Sequence, residues 1–475
     1  MGVDGLDESY WIPEHVRAYL RGLGYRLPLE DMEGHIRLWD DWMASRGDFY
    51  DYTDSDSFGR TYKVHRRSIR PAMRVCREWG SLLLNEKTAV VADKQKATDW
   101  LSRYFAETGF MAMAQDTLVR AFGLGTGAFA IWLDTRRQGR DAVRIRHYDA
   151  RMVVPLTWDV EGVTECAFVT RAYYRGEAID QLQIHAPNER GTFAIRTVCF
   201  DNRGNRVTPE GVVEEVDTCS AFPTFAIIRP AVQNTRVDMS PYGQSVFADA
   251  LDALASVDLA FDALVSEVDL SKMRIFLSDV MFDRDPKDKG RPPIPFGKND
   301  CTIFRKVMST DELVKEFAPA LRTEAQSEVF RVALQMLGDL CGFGLTYFDF
   351  DTTGYIRTAT EVCSDNSALM RNIRRHENLL AKSLVTISRA LIACARRHGE
   401  RVPEPKELTI AYDDSIIQDT QSEKAQDMLE VGVTMQPWEY RMKWYGEDEA
   451  TARARVEGLG NKAGQTVQPG VVGHA

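Results

Sequence analysis

Two carboxylates one residue apart, Asp349 and Asp351, open the stretch DFDTTGYIRTATE and are spaced to hold a divalent cation. A helix–loop–helix calcium site takes oxygen ligands at positions one, three and five of a loop of about twelve residues, a Gly at six and a bidentate Glu at the end. Counted from Asp349, Asp351 falls third, Thr353 fifth and Gly354 sixth. The last position is Thr360, however, and Glu361 comes one residue late. One residue turns a helical side chain by ~100°, which takes that carboxylate off the metal. Arg357 also aims a cation at the site. The same Asp pair could serve a metal-dependent sugar-transfer enzyme, but no nucleotide-binding α/β layout accompanies it.

The other chemical candidates are thinner. GLGTG (123–127) lacks a following Lys-Ser/Thr and precedes a strand, whereas a phosphate loop needs helix N-terminal amides behind it. A tight helix-to-strand turn accounts for it. GKN (297–299) ends in Asn where a metal-binding hydroxyl is needed, and HENLL (376–380) lacks the second His of a zinc helix, so its His-Glu pair reads as a surface accident. The eight cysteines, at 76, 166, 199, 219, 301, 341, 363 and 394, form no CxxC pair, which predicts reduced thiols rather than a zinc or redox site. None of the eight His sits in a nucleophile–base pattern. The expectation is a protein without catalytic activity, cofactor or metal.

The elements that carry these residues are legible from periodicity. The chain is 475 residues long, 44% hydrophobic and 27% charged, with net charge −11, and suffices for roughly two to four domains or subdomains. The acidic balance argues against a nucleic-acid coat protein. The acidic N-terminus MGVDGLDESYW lacks the regions of a signal peptide, and no apolar run of about 18 residues predicts a membrane span. Residues 48–59 read as an exposed acidic loop. From 66 to 122 the pattern is helical, with Ile69, Met73, Cys76, Trp79, Leu82 and Leu83 on one buried face. Residues 128–230 read as an antiparallel β region, with a hairpin turn at Asp201–Asn205. A long helix is expected over 240–277, with Phe247, Leu251, Leu254, Phe261, Leu264 and Val268 inward. Its other face carries Asp249, Asp252, Asp258, Asp262, Glu267 and Asp269 with no Lys or Arg beside them in the helix. A Pro/Gly/Asp-rich stretch follows, then a helix over 320–340, the DFDTTG loop and a helix over 358–399. The stripe of that last helix is Met370, Ile373, Leu380, Leu384, Ile387, Leu391 and Cys394; its polar face is basic: Arg371, Arg374, Arg375, Lys382, Arg389, Arg396 and Arg397. A short strand-like link and two or three short helices close the chain, before a tail (461–475) expected to be disordered.

Five stretches taken in order resemble the portal proteins of long-tailed double-stranded DNA bacteriophages: EWGSLLLNEKTAV (78–90), FGLGTGAFAIWLD (122–134), RPAVQNTRVDMSPYGQSVF (229–247), TATEVCSDNSALMRNIRRHE (358–377) and WYGEDEATARARV (444–456). The resemblance covers most of residues 60–460 and rests on the order of diffuse motifs. It implies an α+β, mostly helical portal fold. Residues 1–240 would be a wing with an antiparallel β part, 241–276 and 320–340 a two-helix stem, and 277–319 a small β-containing clip. Residues 341–358 would be the tunnel loop, 359–400 a long kinked wing helix, and 401–460 a helical crown.

It further implies a ring, usually of twelve subunits, at a capsid vertex of the virion, assembled in the bacterial host cytoplasm. Double-stranded DNA would pass through it during packaging and ejection. The major capsid protein, a scaffolding protein, the terminase motor and the head–tail adaptor would be partners, with no membrane involved. Tunnel-loop residues Tyr347, Phe348, Asp349, Phe350, Asp351, Thr352, Thr353, Gly354 and Tyr355 would face the DNA, the aromatics brushing it and Gly342, Gly344 and Gly354 permitting movement. The acidic stem face (Asp249, Asp252, Asp258, Asp262, Asp269) would keep a polyanion mobile, and the basic face of 371–397 would meet neighbouring subunits. Two other classes remain open: a scaffold or adaptor without a bore, and a metal-dependent enzyme using Asp349 and Asp351.

Overall fold

A computed structural model describes residues 11–55, 59–85, 87–134, 142–174, 176–209, 212–270, 274–278, 303–306, 314–317, 322–348, 367–412, 424, 427–432 and 434–463. Helices and antiparallel sheets both contribute, so the class is α+β. Contacts divide the chain into two units, residues 1–355 with 371–412, and residues 356–370 with 413–475.

The first unit opens with helices α1 (Glu14–Gly22) and α2 (Leu29–Ala44). The expected acidic loop at 48–59 is instead largely structured. Phe49 and Tyr50 fold back on Trp42, with Tyr50 fully buried, and β1 (Asp51–Ser55) pairs antiparallel with β2 (Thr61–His65). The exposure expected of the acidic residues holds, since β1 is exposed along most of its length, while Tyr50 just before it is buried. Helix α3 (Pro71–Leu83) starts on a proline and buries Cys76, Trp79, Leu82 and Leu83, as the spacing predicts. A short strand β3 (Ala89–Ala92), α4 (Gln95–Thr108) and α5 (Phe110–Leu124) follow.

The β region forms two sheets. Strand β4 (Gly127–Leu133) lies between β5 (Val143–Asp149) and β12 (Phe225–Ile228). The larger sheet is a meander of β6 (Val153–Trp158), β7 (Val163–Tyr174), β8 (Glu177–Pro187), β9 (Phe193–Asp201) and β10 (Arg206–Val207), with β11 (Glu215–Asp217) also on β9. Ala128, Ala130 and Tyr148 from the first sheet pack with Val153, Cys166, Phe168 and Phe193 from the second. The expected turn at Asp201–Asn205 is present. The Asp201 carboxylate accepts the amides of Arg203 (2.9 Å) and Asn205 (2.8 Å).

GLGTG is the helix-to-strand turn, and it serves a crossing of chains. A Cβ on Gly125 would sit 2.6 Å from the Gly243 carbonyl oxygen, and one on Gly243 would sit 2.4 Å from that of Gly125. Gly125 also has φ +82°, in the region that favours glycine. The crossing explains a departure from the expected helix over 240–277. Residues 241–250 are not helical: Tyr242, Gln244 and Phe247 are buried individually, with the Tyr242 hydroxyl on the Val153 carbonyl (2.6 Å) and Gln244 taking the Thr235 amide (3.0 Å). Tertiary bonds replace the helical ladder, and the helix, α6 (Leu251–Leu270), begins later.

Past α6 the chain makes a three-stranded sheet, β13 (Arg274–Ser278) between β14 (Ile303–Lys306) and β15 (Val314–Phe317), and returns through α7 (Thr323–Leu340). The segment 274–277 is thus strand where helix was expected. Helix α8 (Ser367–Arg397) buries Ile373, Leu380, Leu384, Ile387, Leu391 and Cys394. By length and composition α8 is apolar enough to cross a membrane, but 56% of its most apolar window is buried inside the protein, as in a core helix. Strand β16 (Leu408–Ala411) pairs with β3.

In the second unit, α9 (Pro437–Tyr445) starts with a capping box between Gln436 and Glu439, and α10 (Glu449–Ala463) follows. Glu447 binds Arg441 (2.9 Å) and Arg455, tying the two helices. Helix α10 runs three residues into the tail expected to be disordered; 464–475 lie outside the described residues, as does half of the stretch DTQSEKAQDMLEVG where a helix is expected.

Candidate functional site

The antiparallel helices α6 and α7 and the chain leaving α7 form the candidate site. Phe261 of α6 meets Phe330 of α7 at 6.5 Å between ring centres. At the far end Arg322 grips Glu267 through two bonds, 3.0 and 2.8 Å, which holds the Glu267 carboxyl below its usual range. At the near end, α3 lies across the pair.

The acidic residues of α6 and of the segment just before it are mostly engaged within the subunit. Asp258 is fully buried, a correction to the exposed acidic face. Its carboxylate accepts the Tyr50 hydroxyl (2.7 Å), the Ser68 hydroxyl (2.7 Å) and the Ile69 amide (3.0 Å). Burial raises the Asp258 pKa although these donors pull the other way, and it raises that of Tyr50 as well. Asp262 takes Arg67 (3.2 Å), and Asp249 takes Arg236 (2.9 Å) and Gln244 (2.8 Å). The helix contains no cations, but distant segments supply them. Asp252 is exposed, and the side chain of Asp269 lies outside the described residues.

The start of the expected tunnel loop is a packed root. The Trp79 indole N–H donates to the Cys341 carbonyl (3.2 Å), and Phe343 stacks on Trp79 at 4.6 Å. Gly342, at φ +86°, turns the chain so that its carbonyl accepts the Asn372 amide (2.9 Å). Tyr347 and Phe348 are therefore not free to brush a ligand. The Tyr347 hydroxyl donates to Glu78 (2.9 Å), and Phe348 is buried among Ile69, Val75, Leu334 and Leu337 with Arg74 over its ring at 5.7 Å. Apolar burial overrides an exposed aromatic, and Gly342 and Gly344 serve a fixed left-handed turn rather than motion. Asp349, Phe350, Asp351, Thr352, Thr353, Gly354 and Tyr355 lie outside the described residues.

His376, expected at the surface, is buried with Glu377. Its ring lies 4.6 Å from Trp79 and 4.9 Å from Phe122, and Nδ1 accepts the Ala231 amide (3.0 Å). Burial pushes its pKa down to about 3. Four of the stretches singled out in the sequence thus meet here, through Glu78 and Trp79, Phe122 and Gly125, Ala231 and Gly243, and Asn372 and His376. Their joint role was invisible in the sequence, although the stretches themselves were the signal.

Several basic residues of α8 are also used internally. Arg374 pairs with Glu377 (3.3 Å), Arg375 and Arg389 bond the carbonyls of Ala231 and Lys406, and Arg396 pairs with Glu404. Among the described residues, no group of three His, Cys, Asp or Glu is placed to hold a metal.

No family model and no curated protein matches the chain. Among solved structures, a chain described as "Neck of native GTA particle computed with C12 symmetry" aligns with 78% of this chain and 88% of its own length, at 12% identity and a TM-score of 0.35. A likeness that loose assigns neither fold nor function.

Proposed function

We propose that this chain is a portal-type subunit: a non-enzymatic ring component through which double-stranded DNA passes, and which docks a separate packaging motor and a head–tail connector. The observation that carries this reading is the convergence of the motifs. Four stretches on which the resemblance to portal proteins rests meet in one joint beneath an antiparallel helix pair. That pair leads out to a small sheet and back, the order a stem and clip require.

The electrostatics agree. A duplex presents one phosphate charge per ~1.7 Å of axis. A conduit that lets it slide needs a surface poor in unpaired cations. In the described part of the helix pair the cations are engaged, Arg322 with Glu267 and Arg331 with Glu328.

Negative-stain imaging of the purified protein tests this. The expected result is a ring with a central hole wide enough for a duplex. A protein that stays monomeric, or assembles without a hole, under all assembly conditions overturns it.

A further inference from the structure

Helix α7 carries a row of apolar side chains left exposed among the described residues. Val329, Val332, Met336 and Leu340 are 58%, 41%, 59% and 54% exposed, and their spacing of three and four puts them on one face. The adjoining face of the helix holds Ala333, Leu334 and Leu337, which are buried. A soluble helix normally exposes charge on such a face. The carboxylates of Glu324 and Asp339 flank the row, and Glu328 beside it is paired with Arg331 of the same helix (2.6 Å).

Helix α6 presents a different outer face. With Leu254, Val257 and Ala260 buried and Phe261 turned to α7, its outward positions are Ala255, Ser256, Leu259 and Ala263, of which Ser256 and Leu259 are exposed. That face is a shallow strip of small residues with one larger side chain. The chain bordering it is strongly basic. Residues 60–77 hold Arg60, Lys63, Arg66, Arg67, Arg70, Arg74 and Arg77 and no carboxylate, and Arg67 reaches both Asp262 and Ser266 of α6.

The apolar row has acidic neighbours and the strip has basic ones, and the two sit on different helices of one pair. We propose that the α7 row of one copy seats in the α6 strip of the next, with Glu324 and Asp339 turned toward the basic 60–77 segment of that neighbour. The occupant is a second copy of this chain, bound head to tail. A contact between two unlike patches repeats, and it closes into a ring when the rotation allows. This rests on the ring reading above and names the surfaces that would build it.

Two surface variants test it: a row variant, Val332→Glu with Met336→Glu, and a strip variant, Ser256→Trp with Leu259→Glu. All four positions are exposed, so each chain should fold with the circular dichroism of the parent. Native mass spectrometry reads the assemblies. Each variant alone should be monomeric, because each lacks one half of the contact. Mixed in equal amounts they should give heterodimers and no rings, since one intact row meets one intact strip. If the row variant still forms rings like the parent, the surface is misassigned while the ring reading stands. If the strip variant alone still self-associates through its row, the row meets something other than the strip and the inference fails. If the parent itself forms no ring, the functional reading falls first.

Discussion

Replacing Asp258 with Ala tests the buried carboxylate that ties α6 to the N-terminal hairpin. Three donors converge on it: the Tyr50 hydroxyl, the Ser68 hydroxyl and the Ile69 amide. Ser68 has a second partner in Ser45 Oγ at 2.8 Å, so Asp258→Ala strands two donors. A buried donor without an acceptor costs about 1–3 kcal/mol, and relief of the buried charge offsets part of that. The expected net loss is about 3 kcal/mol, or ~100-fold faster opening. Hydrogen exchange of the peptide spanning 45–70 measures it locally, without requiring the whole chain to unfold in one step. Asp258→Asn keeps an oxygen for the Ile69 amide and offers its NH₂ to the two hydroxyls, so it should stay within about 1 kcal/mol of the parent.

The pH dependence separates the two effects. Burial holds the Asp258 carboxyl above its ordinary range, with Arg66 opposing. A folded pKa above the unfolded one gives stability that is complete below the unfolded value and fades as pH rises through the folded value. The parent clasp should therefore loosen from acid toward neutral pH, and the Asn variant should not. An Ala variant that exchanges like the parent, or an Asn variant as open as the Ala one, would refute the account.

Other expectations concern the joint and the loop root. Gly243→Ala should lower stability by about 3 kcal/mol or more, read as a fall in soluble yield and urea midpoint, because its Cβ would overlap the Gly125 carbonyl. Phe348→Ala should cost about 3 kcal/mol and speed protease cleavage around 341–348, whereas Tyr347→Phe, which removes one bond to Glu78, should cost about 1 kcal/mol. Burial holds His376 and His185 near 3 and His147 near 4. An unfolded chain therefore takes up protons that the folded one refuses, and stability should fall as pH drops below about 6.5. At pH 5 each such His accounts for about 2 kcal/mol, and His376→Gln should flatten that limb in urea titrations at pH 7 and 5.

Periodicity carried the sequence expectations as far as local structure goes. The stripe from Ile373 to Cys394 could only be a helix with one buried side, and it is. The strands of 128–207 alternate or run apolar as half-buried strands must, and they pair as expected. The failures are tertiary. Residues 241–250 are apolar enough for a helix, but a glycine crossing and separate hydrogen bonds claim them. Asp258 shares an acidic helix with Asp252, yet it is buried because its donors come from positions 190 and 208 residues away. His376 resembled a surface residue because its neighbours in sequence are Arg375 and Glu377, whereas its neighbours in space are Trp79 and Phe122. The candidate site was legible as an ordered set of stretches. That the stretches form one joint was not, because no spacing along the chain encodes it.

The clasp between Arg322 and Glu267 has a practical consequence. It ties together two points 55 residues apart, so the strands β13, β14 and β15 lie in sequence between two ends that are bonded to each other. A shorter or foreign module spliced between the tied ends should leave the framework that carries Arg322 and Glu267 as it is. Selection could then vary whatever docks there without redesigning the support.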